Sequence, residues 1–282
     1  MSAACRYRFD DLDAHLGELD EQGYTLFSDY LQPEITAAIR AQTDALVASG
    51  LPVVTSPWVD TDKPRMLVNE RLGTNEFRHP LPGDLPGRLA ANRDSIELSQ
   101  RLIGSTDLRM REQIFIRTGT EAGHKGATGW HIDSPFLREE YETEPRQIYY
   151  QMIHYCSTVQ PGGGALMIVP GSHRKVGEVS KAPGIESERD ALAANPIAVA
   201  DIDVGGGVEI CAEEGSVVLF NPMCLHSASF NNRAEPRYVY FTSFYDPSAA
   251  WLVEFLRKTR YRDCFPDSLY RSLPNDLHYL LG

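Results

Sequence analysis

Cysteine is scarce: five residues in 282 (Cys5, Cys156, Cys211, Cys224, Cys264), odd in number, scattered and without a CxxC pair. That pattern excludes a disulfide framework and a zinc knuckle. No stretch approaches the roughly 18 consecutive apolar residues of a membrane span, and the opening "MSAACRYRFDDLD" lacks the apolar core of a signal peptide. The expectation is a cytoplasmic protein with no membrane partner. Positive charge is also in deficit, with 27 Lys and Arg against 39 Asp and Glu and a formal net charge of −12. A nucleic-acid partner needs a basic face and is therefore not expected, and any anionic ligand must be met by an individually placed Arg or Lys. The glycine clusters "PGGGA" (161–165) and "VGGGVE" (204–209) match neither a dinucleotide fingerprint nor a P-loop, and read as hairpin turns. GxSxG and HExxH motifs are absent too, which removes two common hydrolase signatures.

What is present changes in texture along the chain. Leu12, Leu16 and Leu19 recur at helical spacing, "GYTLF" (23–27) suits a strand, and a second helix is predicted from Pro33 to about Ser49 with Gly50 as its stop. Residues 51–84, rich in Pro and Asp, read as irregular surface that could form a substrate mouth. "DLPGRLAANRDSIELSQRLIG" reads as a helix or helix pair ending at Gly104. Beyond about residue 108 come short β-branched or aromatic runs, "REQIFIRTG", "RQIYYQMIHYCS", "ALMIVPG", "VEICA", "GSVVLFNP", "HSASFN" and "RYVYFTSFY", separated by Gly, Pro and Asn. That spacing fits an antiparallel sandwich or barrel. The fold class expected is mainly β with flanking α-helices around a double-stranded β-helix (jelly-roll) core. No linker divides the chain, so 1–282 is read as a single domain: 1–104 helical support, 105–245 jelly-roll core and 246–282 a C-terminal helical segment. Residues 175–206 form a polar insertion, a natural place for a lid or loop. Nothing in the sequence sets an oligomeric state.

"GWHIDSPF" (129–136) carries the chemistry. In an extended segment alternate side chains share a face, so His131 and Asp133 point together and Ile132 points away. His226 opens a later strand-like run, and Arg237 follows eleven residues on. Two imidazoles and one carboxylate with three positions left open form the facial triad of non-haem Fe(II) oxygenases, whereas a closed zinc site would need a fourth ligand. The planar guanidinium of Arg237 can hold the far carboxylate of 2-oxoglutarate when the 2-oxo-acid end chelates the iron.

His131-Ile132-Asp133, "VPGSHR" (169–174), His226 and Arg237 in this order resemble the phytanoyl-CoA dioxygenase family of Fe(II)- and 2-oxoglutarate-dependent oxygenases. The resemblance spans about residues 105–245, and the N-terminal helices with "GYTLF" suit the family's opening. It implies that His131, Asp133 and His226 are iron ligands, that Arg237 binds 2-oxoglutarate, and that the cosubstrates are 2-oxoglutarate and O2. "PGSH" is expected to be structural. Some members carry a serine or threonine two residues after the second histidine; here that position is Ala228, flanked by Ser227 and Ser229. Further candidates for cosubstrate contact are Gln113, Tyr149, Gln151 and Ser227, and for the substrate pocket Trp130, Phe136 and Trp58. His124, His154 and His173 read as core or surface histidines, and Cys224 as packing behind the site where it could be oxidised.

The implied activity is hydroxylation of a C–H bond in a small organic molecule, a natural product or lipid-like compound, coupled to conversion of 2-oxoglutarate to succinate and CO2. Halogenating relatives lack the ligand carboxylate, which Asp133 supplies. Two alternatives stay open at this point. One is a metal-dependent cupin-type enzyme that does not use 2-oxoglutarate and has no need of Arg237; the other is a non-catalytic jelly-roll binding protein that binds no metal.

Overall fold

The computed structural model describes residues 12–56, 63–121, 123–133, 149–184, 189–249 and 265–282. The first helix, α1 (Leu12–Gln22), passes into β1 (Tyr24–Phe27) through Gly23 at φ 82°. A Cβ at Gly23 would lie 2.2 Å from Cys224 Sγ and 2.5 Å from His173 Nδ1, so glycine is required by packing as well as by conformation. Helix α2 (Pro33–Ala48) starts on a proline that needs no N–H partner, and the chain turns at Gly50, φ 70°. Helices α3 (Leu85–Ala90) and α4 (Arg93–Ile103) form the expected pair. The Asn92 side chain accepts from the amides of Asp94 and Ser95 at the start of α4, and left-handed Gly104 ends it.

Residues 51–84 correct the sequence reading. They contain β2 (Val53–Val54), β3 (Met66–Asn69) and β4 (Thr74–Arg78), which extend the main sheet instead of forming irregular surface. The later strands follow the apolar runs: β5 (Arg109–Thr118), β6 (Tyr150–Tyr155), β7 (Leu166–Ile168), β8 (Val208–Ile210), β9 (Val217–Phe220), β10 (His226–Ala228) and β11 (Arg237–Tyr245). An eight-stranded sheet has the order β1-β9-β6-β11-β5-β4-β3-β2, and a three-stranded sheet the order β10-β7-β8. The two form a jelly roll with flanking helices and no closed barrel among the described residues.

Alternation along the central strands divides the core. Phe115, Met152, Leu219 and Tyr240 face the helical layer and pack with Ile35, Ile39, Leu85 and Leu98. Ile153, Tyr155, Val218, Phe220 and Val239 face inward toward Leu166, Ile168 and Ile210 of the small sheet. With both faces covered, the strands bury nearly every side chain, which is why they read as continuous apolar runs.

The insertion is helical: α5 (Ser172–Ser180), α6 (Arg189–Ala194), α7 (Pro196–Val199) and a 3₁₀ turn at Val204–Gly206. Its Val176, Leu192, Ala200 and Ile202 are buried with Ile132, Met223 and Leu225. Where a lid or loop is expected, the described residues are helical and pack as a buttress behind the HID segment. "PGGGA" is a turn, with Gly162 and Gly164 at positive φ, but "VGGG" lies in the 3₁₀ turn and not in a hairpin. "PGSH" is structural as expected. Gly171 is left-handed, Ser172 Oγ donates to Val169 O (2.6 Å) and accepts from Leu225 N (2.8 Å), and His173 Nε2 bonds to Asp20 O (3.0 Å). The described part of the C-terminal segment holds α8 (Asp267–Ser272) and a 3₁₀ helix at Asn275–Leu281. No described helix is long and apolar enough to cross a membrane.

Candidate active site

His131 is fixed to the small sheet by a two-way backbone bridge with His226: His131 N donates to His226 O and His226 N to His131 O, both at 2.9 Å. Asp133 N donates to Pro222 O at 2.9 Å. Ile132 turns into the buttress cluster, where burying its side chain contributes about 1.5–3 kcal/mol. That burial orients its two neighbours. The ligand atoms of His131, Asp133 and His226 all lie within 4.8 Å of one another, with Asp133 Oδ1 3.5 Å from His226 Nε2 and 4.0 Å from His131 Nε2.

The imidazole tautomers follow from the backbone. His131 Nδ1 is 3.0 Å from Gly129 O and His226 Nδ1 is 2.9 Å from Cys224 O. A carbonyl can only accept, so each ring keeps a proton on Nδ1 and turns Nε2, the nitrogen a metal would take, toward the shared centre. Burial opposes ionisation of Asp133, but His226, Arg111 and His131 outweigh it and hold the carboxyl below its ordinary range. Partial burial, reinforced by His226, lowers the pKa of His131, whose side chain is half-exposed. In His226 burial is outweighed by Asp133, which raises the pKa.

A cavity of about 340 Å³ reaches from these residues to Arg237. Ile116, Ile153, Tyr155, Leu166, Phe220 and Phe241 give it apolar walls. Arg237 is 7% exposed, and its Nε has no hydrogen-bond partner among the described residues. Burial lowers its pKa and nearby Tyr155 partly offsets this. A buried guanidinium with an open donor is suited to an anion brought in from outside. The donor set and this unfilled donor together fit an iron ion and a 2-oxoglutarate carboxylate.

The other candidates divide. Gln151 lines the cavity, and its amide nitrogen serves Asp133 Oδ2 (3.0 Å) and Glu112 Oε1 (3.1 Å). Gln113 faces the helical layer, bonded to His79 Nε2 (2.8 Å), Pro86 O (3.0 Å) and Tyr240 Oη (2.8 Å), and is outside the cavity. Tyr149 is buried under the Arg111 guanidinium, 4.4 Å from its ring centroid, and burial pushes its phenol up. Ser227 is also turned away: its Oγ donates to Ala228 O (2.7 Å) and accepts from Thr128 N (3.1 Å) and Gly129 N (3.0 Å). Ser229 lines the cavity, with its Oγ unpartnered among the described residues. Trp130 packs on the buttress cluster and against Gly207, where a Cβ would meet its ring at 2.6 Å, so it is not a cavity wall. Trp58 and Phe136 lie outside the described residues. Cys224 is buried with its thiol pushed up to about 12 by burial, which removes the reactive thiolate that oxidation would need. Sequence reading missed Ser229 and the charged wall of Glu76, Arg78, Arg111 and Glu112; strand parity was the available signal for Glu112.

The phytanoyl-CoA dioxygenase (PhyH) family model matches residues 19–239. The chain belongs to this family. A PhyH enzyme is a 2-oxoglutarate-dependent non-haem iron dioxygenase using Fe(II), 2-oxoglutarate and O2, and this chain is one. No curated protein sequence matches it. Among solved structures, this PhyH protein is similar to the non-haem α-ketoglutarate-dependent epimerase SnoN from nogalamycin biosynthesis, at 18% identity over 83% of each chain and a TM-score of 0.60. It is also similar to HygX from Streptomyces hygroscopicus, solved with nickel, 2-oxoglutarate and hygromycin B, at 13% identity over 83% of this chain and 87% of that one, TM-score 0.57. EctD from S. alaskensis with bound Fe shares 22% identity over 88% of this chain and 83% of that one, TM-score 0.56. At such identities the likeness shows the fold.

Proposed function

We propose that His131, Asp133 and His226 hold Fe(II), that Arg237 holds the distal carboxylate of 2-oxoglutarate, and that the enzyme hydroxylates a C–H bond of a small, polar organic molecule. The observation that carries the reading is the buried, unpartnered Arg237 Nε at one end of a cavity whose other end holds the His-Asp-His cluster. A cupin without 2-oxoglutarate has no use for that cation, and a non-catalytic binding protein has no use for two imidazoles and a carboxylate converging on one point.

Iron and 2-oxoglutarate would supply the oxidising chemistry, in which O2 is consumed, 2-oxoglutarate becomes succinate and CO2, and a substrate C–H becomes C–OH. The chain's part is placement. Asp133 stays ionised and both imidazoles turn Nε2 toward the metal position, Arg237 sets the depth and direction of the cosubstrate, and Ser229 offers a hydroxyl in the same cavity. Ile116, Ile153, Phe220 and Phe241 line the space between and exclude water, which strengthens the Arg237 interaction.

For the substrate, the wall formed by Thr74, Glu76, Arg78, Arg111, Glu112 and Thr128 supports a hydrogen-bonding molecule over a lipid-like chain. Arg78 pairs with Glu76, and Arg111 with Glu112. Burying an alkyl chain against these groups would cost their hydration without replacing it. SnoN solved with nogalamycin RO and HygX with hygromycin B support a natural product as the type of molecule. The test is anaerobic addition of Fe(II) and 2-oxoglutarate while recording the visible spectrum. A metal-to-ligand charge-transfer band is expected, and its absence in folded protein overturns the reading. Substrates are then scored by succinate release, with a product heavier by one oxygen atom expected; a product of unchanged mass overturns hydroxylation alone.

A further inference from the structure

We propose that Gln151 is a positioning residue that keeps Asp133 a one-oxygen ligand, an assignment that rests on reading His131, Asp133 and His226 as the iron site. The two oxygens of Asp133 have different surroundings. Oδ1 faces the Nε2 atoms of His226 and His131, at 3.5 and 4.0 Å, whereas Oδ2 accepts from Gln151 Nε2 at 3.0 Å. The same nitrogen donates to Glu112 Oε1 at 3.1 Å. Both neighbours are carboxylates, which accept only, so the amide must present its nitrogen to them.

The arrangement is anchored from behind. Glu112 pairs with Arg111, which lies 4.4 Å above the Tyr149 ring, and Gln151, Glu112 and Arg111 are 5%, 5% and 8% exposed. Cross-strand register holds the group in place, because Ser243 of β11 lies opposite Glu112 of β5 on one side and Gln151 of β6 on the other. The orientation has a cost: Gln151 Oε1 is buried with no partner among the described residues. Donation to the two carboxylates offsets it.

The consequence is a count of open positions. A facial triad that gives one atom per residue leaves three positions open. A 2-oxoglutarate chelating through its 2-oxo-acid end fills two, and one remains. A two-oxygen Asp133 would fill the last. By occupying Oδ2, Gln151 withholds it from the metal.

The experiment compares wild type with Gln151→Leu, each loaded anaerobically with Fe(II) and 2-oxoglutarate and then given nitric oxide as the probe of the open position. Wild type should give the paramagnetic iron-nitrosyl signal by electron paramagnetic resonance, and Gln151→Leu should give at least about 10-fold less, in line with the loss of an outer-shell partner. Equal signals overturn the assignment. A measurement on wild type alone covers the case in which the variant misfolds: a crystal structure with Co(II) and 2-oxoglutarate should show one Asp133 oxygen on cobalt and Oδ2 on Gln151, whereas both oxygens on cobalt overturn it. The two levels of failure are distinct. A missing charge-transfer band in wild type removes the ligand set and with it the role of Gln151; a band with equal nitrosyl signals removes the role of Gln151 alone.

Discussion

Gln113 on β5 and Gln151 on β6 are both buried glutamines on the two strands that flank β11 in the main sheet, at 1% and 5% exposure, and they face opposite layers. Gln113, toward the helices, has its oxygen on His79 and its nitrogen on Pro86 O and Tyr240 Oη. Gln151, toward the cavity, has a nitrogen on two carboxylates and an oxygen with no partner among the described residues. Ser227 and Ser229 repeat the contrast two residues apart, one with a full set of backbone partners and one bare. Native interiors satisfy their polar groups, so an unfinished one asks for a cause. Thr242 Oγ1 and His173 Nδ1 also have no partner among the described residues but line no part of the cavity. It is open valence together with position on the cavity that marks the site.

The contrast can be broken most forcefully at Asp133. Replacing it with alanine removes a ligand and leaves Gln151 Nε2 and Arg111 facing an empty space. Succinate release should fall by more than the ~100-fold that loss of an outer-shell partner causes, and retention of a tenth of wild-type turnover would rule out Asp133 as a ligand. Arg237→Leu is next in size. Hydrogen bonds to charged groups contribute about 1.5–3 kcal/mol, so the KM for 2-oxoglutarate should rise roughly 10- to 100-fold. Co(II) affinity without 2-oxoglutarate should stay as in wild type. An unchanged KM would show that the unfinished donor of Arg237 serves something other than the cosubstrate.

How much of this was legible depended on whether the cause was local. The runs "GSVVLFNP" and "RYVYFTSFY" became β9 and β11 because they bury both faces, and the caps at Asn92 and Gly104 are local chemistry. Residues 74–78 became a strand because β5 lies beside them, with Thr74 opposite Thr118 and Arg78 opposite Ile114; "TNEFR" by itself carries no strand period. HxD parity placed His131 and Asp133 on one side with Ile132 buried behind, as the alternation required. Gln113 was misplaced because both faces of β5 are buried and hydrophobicity does not distinguish them. The Arg111-Glu112-Gln151 group stayed hidden because its members meet only through the register of β5, β11 and β6, which no single stretch of sequence encodes.

The finest form of the comparison is the serine pair, where the same substitution should have two different effects. Ser227→Ala takes the side-chain acceptor from Thr128 N and Gly129 N in the turn that leads into His131. Thr128 N still has Ala228 O at 2.8 Å, whereas no other acceptor for Gly129 N is described. Leaving one such donor unmade costs about 1–3 kcal/mol, so the melting temperature should drop by a few degrees. Ser229→Ala removes a hydroxyl that makes no bond within the described protein, so the melting temperature should hold. Its effect should appear in 2-oxoglutarate affinity, weaker by about 2- to 10-fold, the size of one neutral hydrogen bond. Thermal melts and titrations of both variants test the pair together. If Ser229→Ala lowered the melting temperature and left 2-oxoglutarate binding unchanged, the open hydroxyl would be structural and the cavity criterion would lose its discriminating case.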